Sequence, residues 1–139
     1  MKALIQRVSS ASVEVEGQIV GQIKKGVLVF IGIEKQDELE HANKMINKIL
    51  SYRVFSDTEG KMNLSVSDIK GGVLLVSQFT LAAETSNGTR AGFSTAKPPL
   101  EAENIYNHMV GRAKDLSSNI ESGIFADVTG SAEFTVVFK

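Results

Sequence analysis

The chain has 139 residues and a mass of 15.0 kDa, with 42% apolar residues, 22% charged residues and a net charge of −1. That length fits a single domain over residues 1–139, large enough to bury a core without disulfide or metal staples. With no cysteine, thiolate nucleophiles, disulfide frameworks, zinc knuckles and iron–sulfur clusters are excluded.

Taken in chain order, residues 3–8 (ALIQRV) read as a first strand. Ser12 to Glu16 alternates apolar and polar residues, Glu16-Gly17-Gln18 is a turn, and Ile19 to Ile23 returns as a partner strand. Gly26 opens VLVFIGI, a short continuous apolar run of the kind buried on both faces. Asp37 as N-cap with Glu40 three residues on predicts a helix to about Tyr52, with Leu39, Ala42, Ile46, Ile49 and Leu50 on its inward stripe. Val54 and Phe55 leave it, and residues 56–60 are turn-rich. Gly71-Gly72 precedes VLLVSQFTL, a second buried-strand run that turns polar at Ser77. Residues 83–97 are loop-like and include Asn87-Gly88. Pro98 and Pro99 suit the first turn of a second helix to about Ser117. Its inward residues are Ala102, Ile105, Tyr106, Met109, Ala113 and Leu116, and the tail EFTVVFK reads as a last strand. Five or six strands and two principal helices, with strands leading, predict a mixed α+β domain, mainly antiparallel and barrel-like.

Charge is balanced along the chain: 10 basic and 9 acidic residues through Lys70, 5 and 7 after it. Neither part is a basic arm, so bulk charge does not favour tight non-specific nucleic-acid binding, while a shaped pocket for one RNA end stays open. The longest apolar run, Val27 to Ile31, is too short to span a bilayer. The N-terminal MKALIQRV lacks a signal-peptide apolar region. The expectation is a soluble, cytoplasmic protein with no membrane partner.

Familiar catalytic constellations are missing: no G-x-S-x-G elbow, no H-E-x-x-H, no Walker A loop, and no dinucleotide spacing around Gly71-Gly72. His41 and His108 fall mid-helix, off the apolar stripe, and read as solvated, which leaves Ser-His-Asp catalysis little support. The unusual segment is Ser77-Gln78-Phe79-Thr80-Leu81, where a buried strand ends in hydroxyl and amide groups. It is either a ligand-presenting strand end or a strand emerging into solvent. Gly60-Lys61-Met62-Asn63-Leu64 reads as a pocket-supporting loop or a plain turn into a strand. Arg7, in an otherwise apolar strand, must be paired or face an edge.

Together these stretches resemble the D-aminoacyl-tRNA deacylase family, formerly the D-tyrosyl-tRNA deacylases. The matching strings are ALIQRVSSASVEVEG, IEKQDELEHANKMINKILSYRVFSDTEGKMNLSV and VLLVSQFTLAA, with weaker similarity to about residue 127. The resemblance implies a homodimer with active sites at the subunit interface. Its substrate is a D-amino acid or glycine esterified to the tRNA 3′ end, and the products are free amino acid and tRNA. No cofactor, metal or DNA partner is implied. It places Thr80, Gln78 and Phe79 in the catalytic segment, Thr80 as a considered nucleophile and the main chain of Gln78 and Phe79 holding the ester. Ser77, Arg7, Phe93, Ala96 and Phe125 fall in the substrate-binding set, with Arg7 bracing the chiral-selecting loop and Phe125 near the terminal adenosine. An aminoacyl ester is already activated, so main-chain donors at the oxyanion, each about 3–4 kcal/mol, and the ribose 2′-OH would suffice. No base for Thr80 is apparent in the sequence.

The family's C-terminal Gly-Pro motif, whose cis proline enters the partner's site and rejects L-amino acids, is missing. The only prolines are Pro98 and Pro99. Aligning the last strand places Ala132-Glu133-Phe134-Thr135 where the family has Gly-Pro-Val-Thr. Arg90-Ala91-Gly92-Phe93 likewise lacks the proline of the family's R-P-S-F stretch. The expected consequences are relaxed selectivity between D and L esters or, alternatively, a non-catalytic relative that binds RNA or a protein partner.

Overall fold

The computed structural model describes residues 1–82, 96–125 and 134–139, with Phe134 described by its main chain only. Phe93 and its Arg90–Gly92 neighbours, the Asn87-Gly88 turn and Ala132-Glu133 lie outside these residues. The strands are β1 (Lys2–Val8), β2 (Ala11–Val15), β3 (Gln18–Ile23), β4 (Gly26–Gly32), β5 (Phe55–Ser56), β6 (Met62–Leu64), β7 (Gly72–Ser77), β8 (Ile120–Ser122) and β9 (Phe134–Phe138). The helices are α1 (Leu39–Ser51) and α2 (Pro99–Leu116), and a short 3₁₀ turn, η1, covers Phe79–Ala82.

A four-stranded sheet has the order β1-β4-β7-β8. Its β1/β4 pair is antiparallel, and β4/β7 and β7/β8 are parallel. The parallel pairs need long crossovers, and α1 and α2 lie within them. A second, antiparallel sheet runs β3-β2-β9, and β5-β6 is a small hairpin. The sheets approach where Gly21 of β3 meets Ser122 of β8, since a Cβ on Gly21 would lie 2.9 Å from the Ser122 carbonyl oxygen. No ladder joins them there, so among the described residues the architecture is two packed sheets with two helices and no closed barrel.

Period-two alternation explains why β4 and β7 are apolar throughout. Val27, Val29, Ile31, Val73 and Leu75 face the helices and join Ala42, Ile46, Ile49, Tyr106 and Met109 in one core. Leu28, Leu74 and Val76 face the second sheet and pack with Val8, Ala11, Val13 and Ile23. Gly26 and Gly72 are register partners on these strands, and a Cβ on Gly26 would collide with the Gly72 main chain. The β2–β3 hairpin turns on Glu16 and Gly17, φ +51° and +79°, the left-handed pair a two-residue connection requires.

Four local expectations change. Glu38, not Asp37, caps α1, and its N–H donates to His41 Nδ1 at 2.9 Å. Leu39 and Leu116 are exposed at the helix ends, beyond the reach of the sheet. The β8 strand is an addition that its own sequence does not mark: Ile-Glu-Ser has one apolar residue and no readable period. His41 and His108 are half-buried rather than solvated. His108 Nε2 lies 2.9 Å from Asn43 Oδ1, linking α2 to α1.

Candidate functional site

The C-terminal ends of β4 and β7 lie side by side, with Ile31 opposite Ser77. Beyond Ser77 the chain leaves the sheet because the Gln78 N–H donates to the Ile31 carbonyl at 2.7 Å and the Leu81 N–H returns to the Gln78 carbonyl at 3.2 Å, closing the first turn of η1. Gly32 makes this turn possible: a Cβ there would stand 2.6 Å from Leu81 Cβ. A strand end without a side chain lets η1 lie across it.

The turn borders a small cleft lined by Ser77, Gln78, Phe79, Ala96, Lys97 and Phe125. Ile31, Ile33 and Ala102 form its apolar floor. Its free volume is about 20 Å³, room for about one water. Five of the expected residues thus converge: Ser77, Gln78, Phe79, Ala96 and Phe125. Ala96 is placed by an antiparallel bridge to Glu34, and the Lys97 N–H by a bond to the Ile33 carbonyl at 3.2 Å.

Two expected residues stand apart. Thr80 is exposed and does not line the cleft. Arg7 pairs in register with Val27, four residues and roughly 13 Å along the strand from Ile31. Its Nη1 donates to the Val54 carbonyl at 3.2 Å. The Gly60–Leu64 string is also remote. Asp57 accepts from the Glu59 and Lys61 N–H groups and from Asn63 Nδ2, all within 3.0 Å. The Asn63 amide first, then the Lys61 N–H, hold the Asp57 carboxyl below its ordinary pKa. That stretch is therefore a bonded turn into β6.

Lys97 is the one charged side chain lining the cleft among the described residues. Its Nζ donates to the Asp37 carbonyl at 2.6 Å and the Lys35 carbonyl at 3.2 Å, tying down the loop before α1. Asp37 is buried in that loop. It accepts the Glu34 N–H at 2.7 Å and, with Glu34, binds the Met1 ammonium at 2.8 Å. Burial alone would lower the pKa of that ammonium, but hydrogen bonds from it to Asp37 and Glu34 and their charges hold it above 8.0. Nothing local marks Lys97 or Ala102 as cleft residues. Their register follows from where α2 docks.

Phe125 is held by Tyr106, whose ring lies 5.9 Å away. The buried Tyr106 hydroxyl reaches the Leu75 carbonyl at 2.8 Å and the Gly123 carbonyl at 3.0 Å, fastening β7 to the segment that carries Phe125. Burial pushes this phenol above its ordinary pKa. The Gly123 N–H also donates to the Leu75 carbonyl at 2.9 Å, so Tyr106→Phe removes one of the bonds joining these segments and is expected to cost about 0.5–1.5 kcal/mol. A urea midpoint equal to that of the parent chain would contradict this role.

Among the described residues no three His, Asp or Glu side chains are grouped to hold a metal ion. No helix there is long and apolar enough to cross a membrane.

A family model described as D-Tyr-tRNA(Tyr) deacylase matches residues 4–130. A D-aminoacyl-tRNA deacylase of Saccharophagus degradans is 59% identical over 126 residues, spanning 91% of this chain and 87% of that relative. One of Acinetobacter baumannii strain ACICU is 53% identical over 126 residues, spanning 91% and 86%. Among solved structures, a c-Myc DNA unwinding element binding protein superposes with a TM-score of 0.90 at 35% identity, covering 100% of this chain and 91% of its own. A probable eukaryotic D-amino acid tRNA deacylase superposes with a TM-score of 0.83 over 99% of this chain and 92% of its own. At 13% identity it shows the fold alone.

Proposed function

The chain belongs to the D-Tyr-tRNA(Tyr) deacylase family, and from that premise we propose how its cleft carries out the family reaction. The protein is a hydrolase acting on D-aminoacyl-tRNA. Water adds to the ester carbonyl carbon, the bond from that carbon to the ribose oxygen breaks, and the proton passes to the departing ribose oxygen. Free D-amino acid and intact tRNA result. The convergence of Ser77, Gln78, Phe79, Ala96 and Phe125 on one cleft carries this reading.

In this proposal the aminoacyl ester rests at the cleft mouth, since the recess itself holds little more than a water. Main-chain groups of the Gln78–Thr80 turn meet the developing oxyanion. The Gln78 N–H also donates to the Ile31 carbonyl, which fixes the turn at the strand end. Phe125 offers a face for the terminal adenine, and Lys97, its ammonium held by the Asp37 and Lys35 carbonyls, keeps the cleft wall in place. The adjacent ribose 2′-OH assists proton transfer. Thr80, exposed and outside the cleft lining, acts through its main chain and not as a nucleophile. Thr80→Ala is expected to retain the rate within about threefold, whereas a nucleophile's loss would cost several orders of magnitude.

The same proposal takes the chain as one domain, cytoplasmic, acting as a homodimer. Arg7 lies at the far end of the sheet from its own chain's cleft, so bracing a substrate-facing loop falls to it only in a second copy. The direct test charges tRNA separately with D-tyrosine, L-tyrosine and glycine and measures release. Release of D-tyrosine is expected. No release of any of the three would favour a non-catalytic RNA-binding relative.

A further inference from the structure

At the pole opposite the cleft, β3 ends, β7 begins and β8 begins around a second and larger cavity of about 450 Å³. Lys24, Lys25 and Lys70 line it, with Glu121 as the only carboxylate. Among the described residues none of the three ammonium groups forms an ion pair. Their backbones are nevertheless fixed to one another. The Gly72 N–H donates to the Lys25 carbonyl at 3.0 Å, Asn119 Nδ2 to the Lys70 carbonyl at 3.1 Å, and the Val73 N–H to the Asn119 carbonyl at 2.9 Å. Lys70 is held at φ +55°, a left-handed conformation that disfavours a lysine. Lys24, Lys25 and Lys70 are exposed, so three like charges on a tied framework, in a chain whose overall charge is −1, are open to an anion.

We propose that this cavity binds phosphates of the RNA strand whose 3′ end occupies the catalytic cleft. This rests on the deacylase reading above. The segment Ser118–Glu121 lines the lysine cavity, and Phe125, four residues beyond Glu121, lines the cleft. The direct span is β7, from Gly72 at the cavity to Ser77 at the cleft, five steps or roughly 17 Å. A stacked strand advances about 3.4 Å per nucleotide, so about five nucleotides bridge it. That places the lysines against the junction of the single-stranded 3′ end and the acceptor stem. The contact is to the backbone, so it strengthens binding without reading sequence.

The test uses the full chain with Lys24, Lys25 and Lys70 each replaced by glutamine. The probe is an uncharged RNA hairpin with a four-nucleotide single-stranded 3′ end, followed by fluorescence anisotropy between 50 and 200 mM KCl. The triple variant is expected to bind about tenfold more weakly at low salt, with a log–log salt slope shallower by about 2. In turnover, KM for D-tyrosyl-tRNA rises by a similar factor at constant kcat, and hydrolysis of D-tyrosyl-adenosine is unchanged. Equal affinity and equal slope overturn the inference. So does perturbation of the lysine resonances by inorganic phosphate without any lysine dependence of hairpin binding, which would mark a small-anion site. Lysine-dependent hairpin binding by a protein that hydrolyses no D-ester supports the cavity while defeating the deacylase reading. If the triple variant melts early, the single Lys24→Gln and Lys25→Gln variants carry the test, each expected to remove about a third of the slope change.

Discussion

Gly32→Ala is expected to lower kcat for D-aminoacyl ester hydrolysis by about 100-fold while the chain stays folded. The added methyl would stand 2.6 Å from Leu81 Cβ and 3.2 Å from the Ala82 nitrogen. Carbon atoms need about 3.5–4.0 Å, so η1 must retreat by about 1 Å. A displacement of that size at a reacting centre costs about two orders of magnitude in rate. The sheet itself has no reason to fail, because the atoms nearest the added methyl belong to Leu81 and Ala82 of η1 and not to β1 or β7. Gly111→Ala is the matched control. It sits in α2 with nothing within 4 Å of the new methyl, and alanine in a helix is better than glycine by about 0.5–1 kcal/mol. It should raise the melting temperature slightly and leave hydrolysis alone. Full activity in Gly32→Ala, with the melt of the parent, would mean that the placement of η1 does not set the rate.

Installing Gly-Pro in place of Ala132-Glu133 is expected to restore rejection of L-tyrosyl-tRNA by about 100-fold, the scale that a steric contact of one or two methylenes can reach. The parent chain is expected to release D- and L-tyrosine at rates within about tenfold. Proline tolerates a cis bond at small cost, whereas a non-proline cis bond costs about 3 kcal/mol, so Glu133 cannot present the same wedge. Its carboxylate would also oppose a developing oxyanion if it came near the ester. An unchanged D/L ratio in the doubly substituted chain would show that selectivity arises elsewhere. A parent that already rejects L-esters would show the same.

The alternation and helical periods of this chain were enough to read most of its elements. They mark β1, the β2–β3 hairpin, β4, β7 and both helices, because each depends on contacts within its own stretch or on burial of both faces. The SQFTL string was legible as a break in pattern, and its family resemblance named the reaction. The α+β class followed from the order of the elements. Other features required partners distant in sequence. Asp37 looks like a helix cap but is claimed by the Met1 ammonium and Glu34. Ile120–Ser122 becomes a strand only because β7 offers a free edge. The barrel-like closure did not follow, since Gly21 and Ser122 bring the sheets near without a ladder.

The candidate site divides in the same way. The sequence alone marks out which strand end breaks its apolar pattern and which charges are available, since both are properties of a local string. Only the tertiary structure decides that Lys97 joins Ser77, Ala96 and Phe125 in lining one cleft, that Arg7 and Thr80 do not, and that three lysines from separate elements share one cavity. The reason is that such neighbours are set by strand register and helix docking. These depend on summed packing over the whole core, and no single stretch of sequence carries that information.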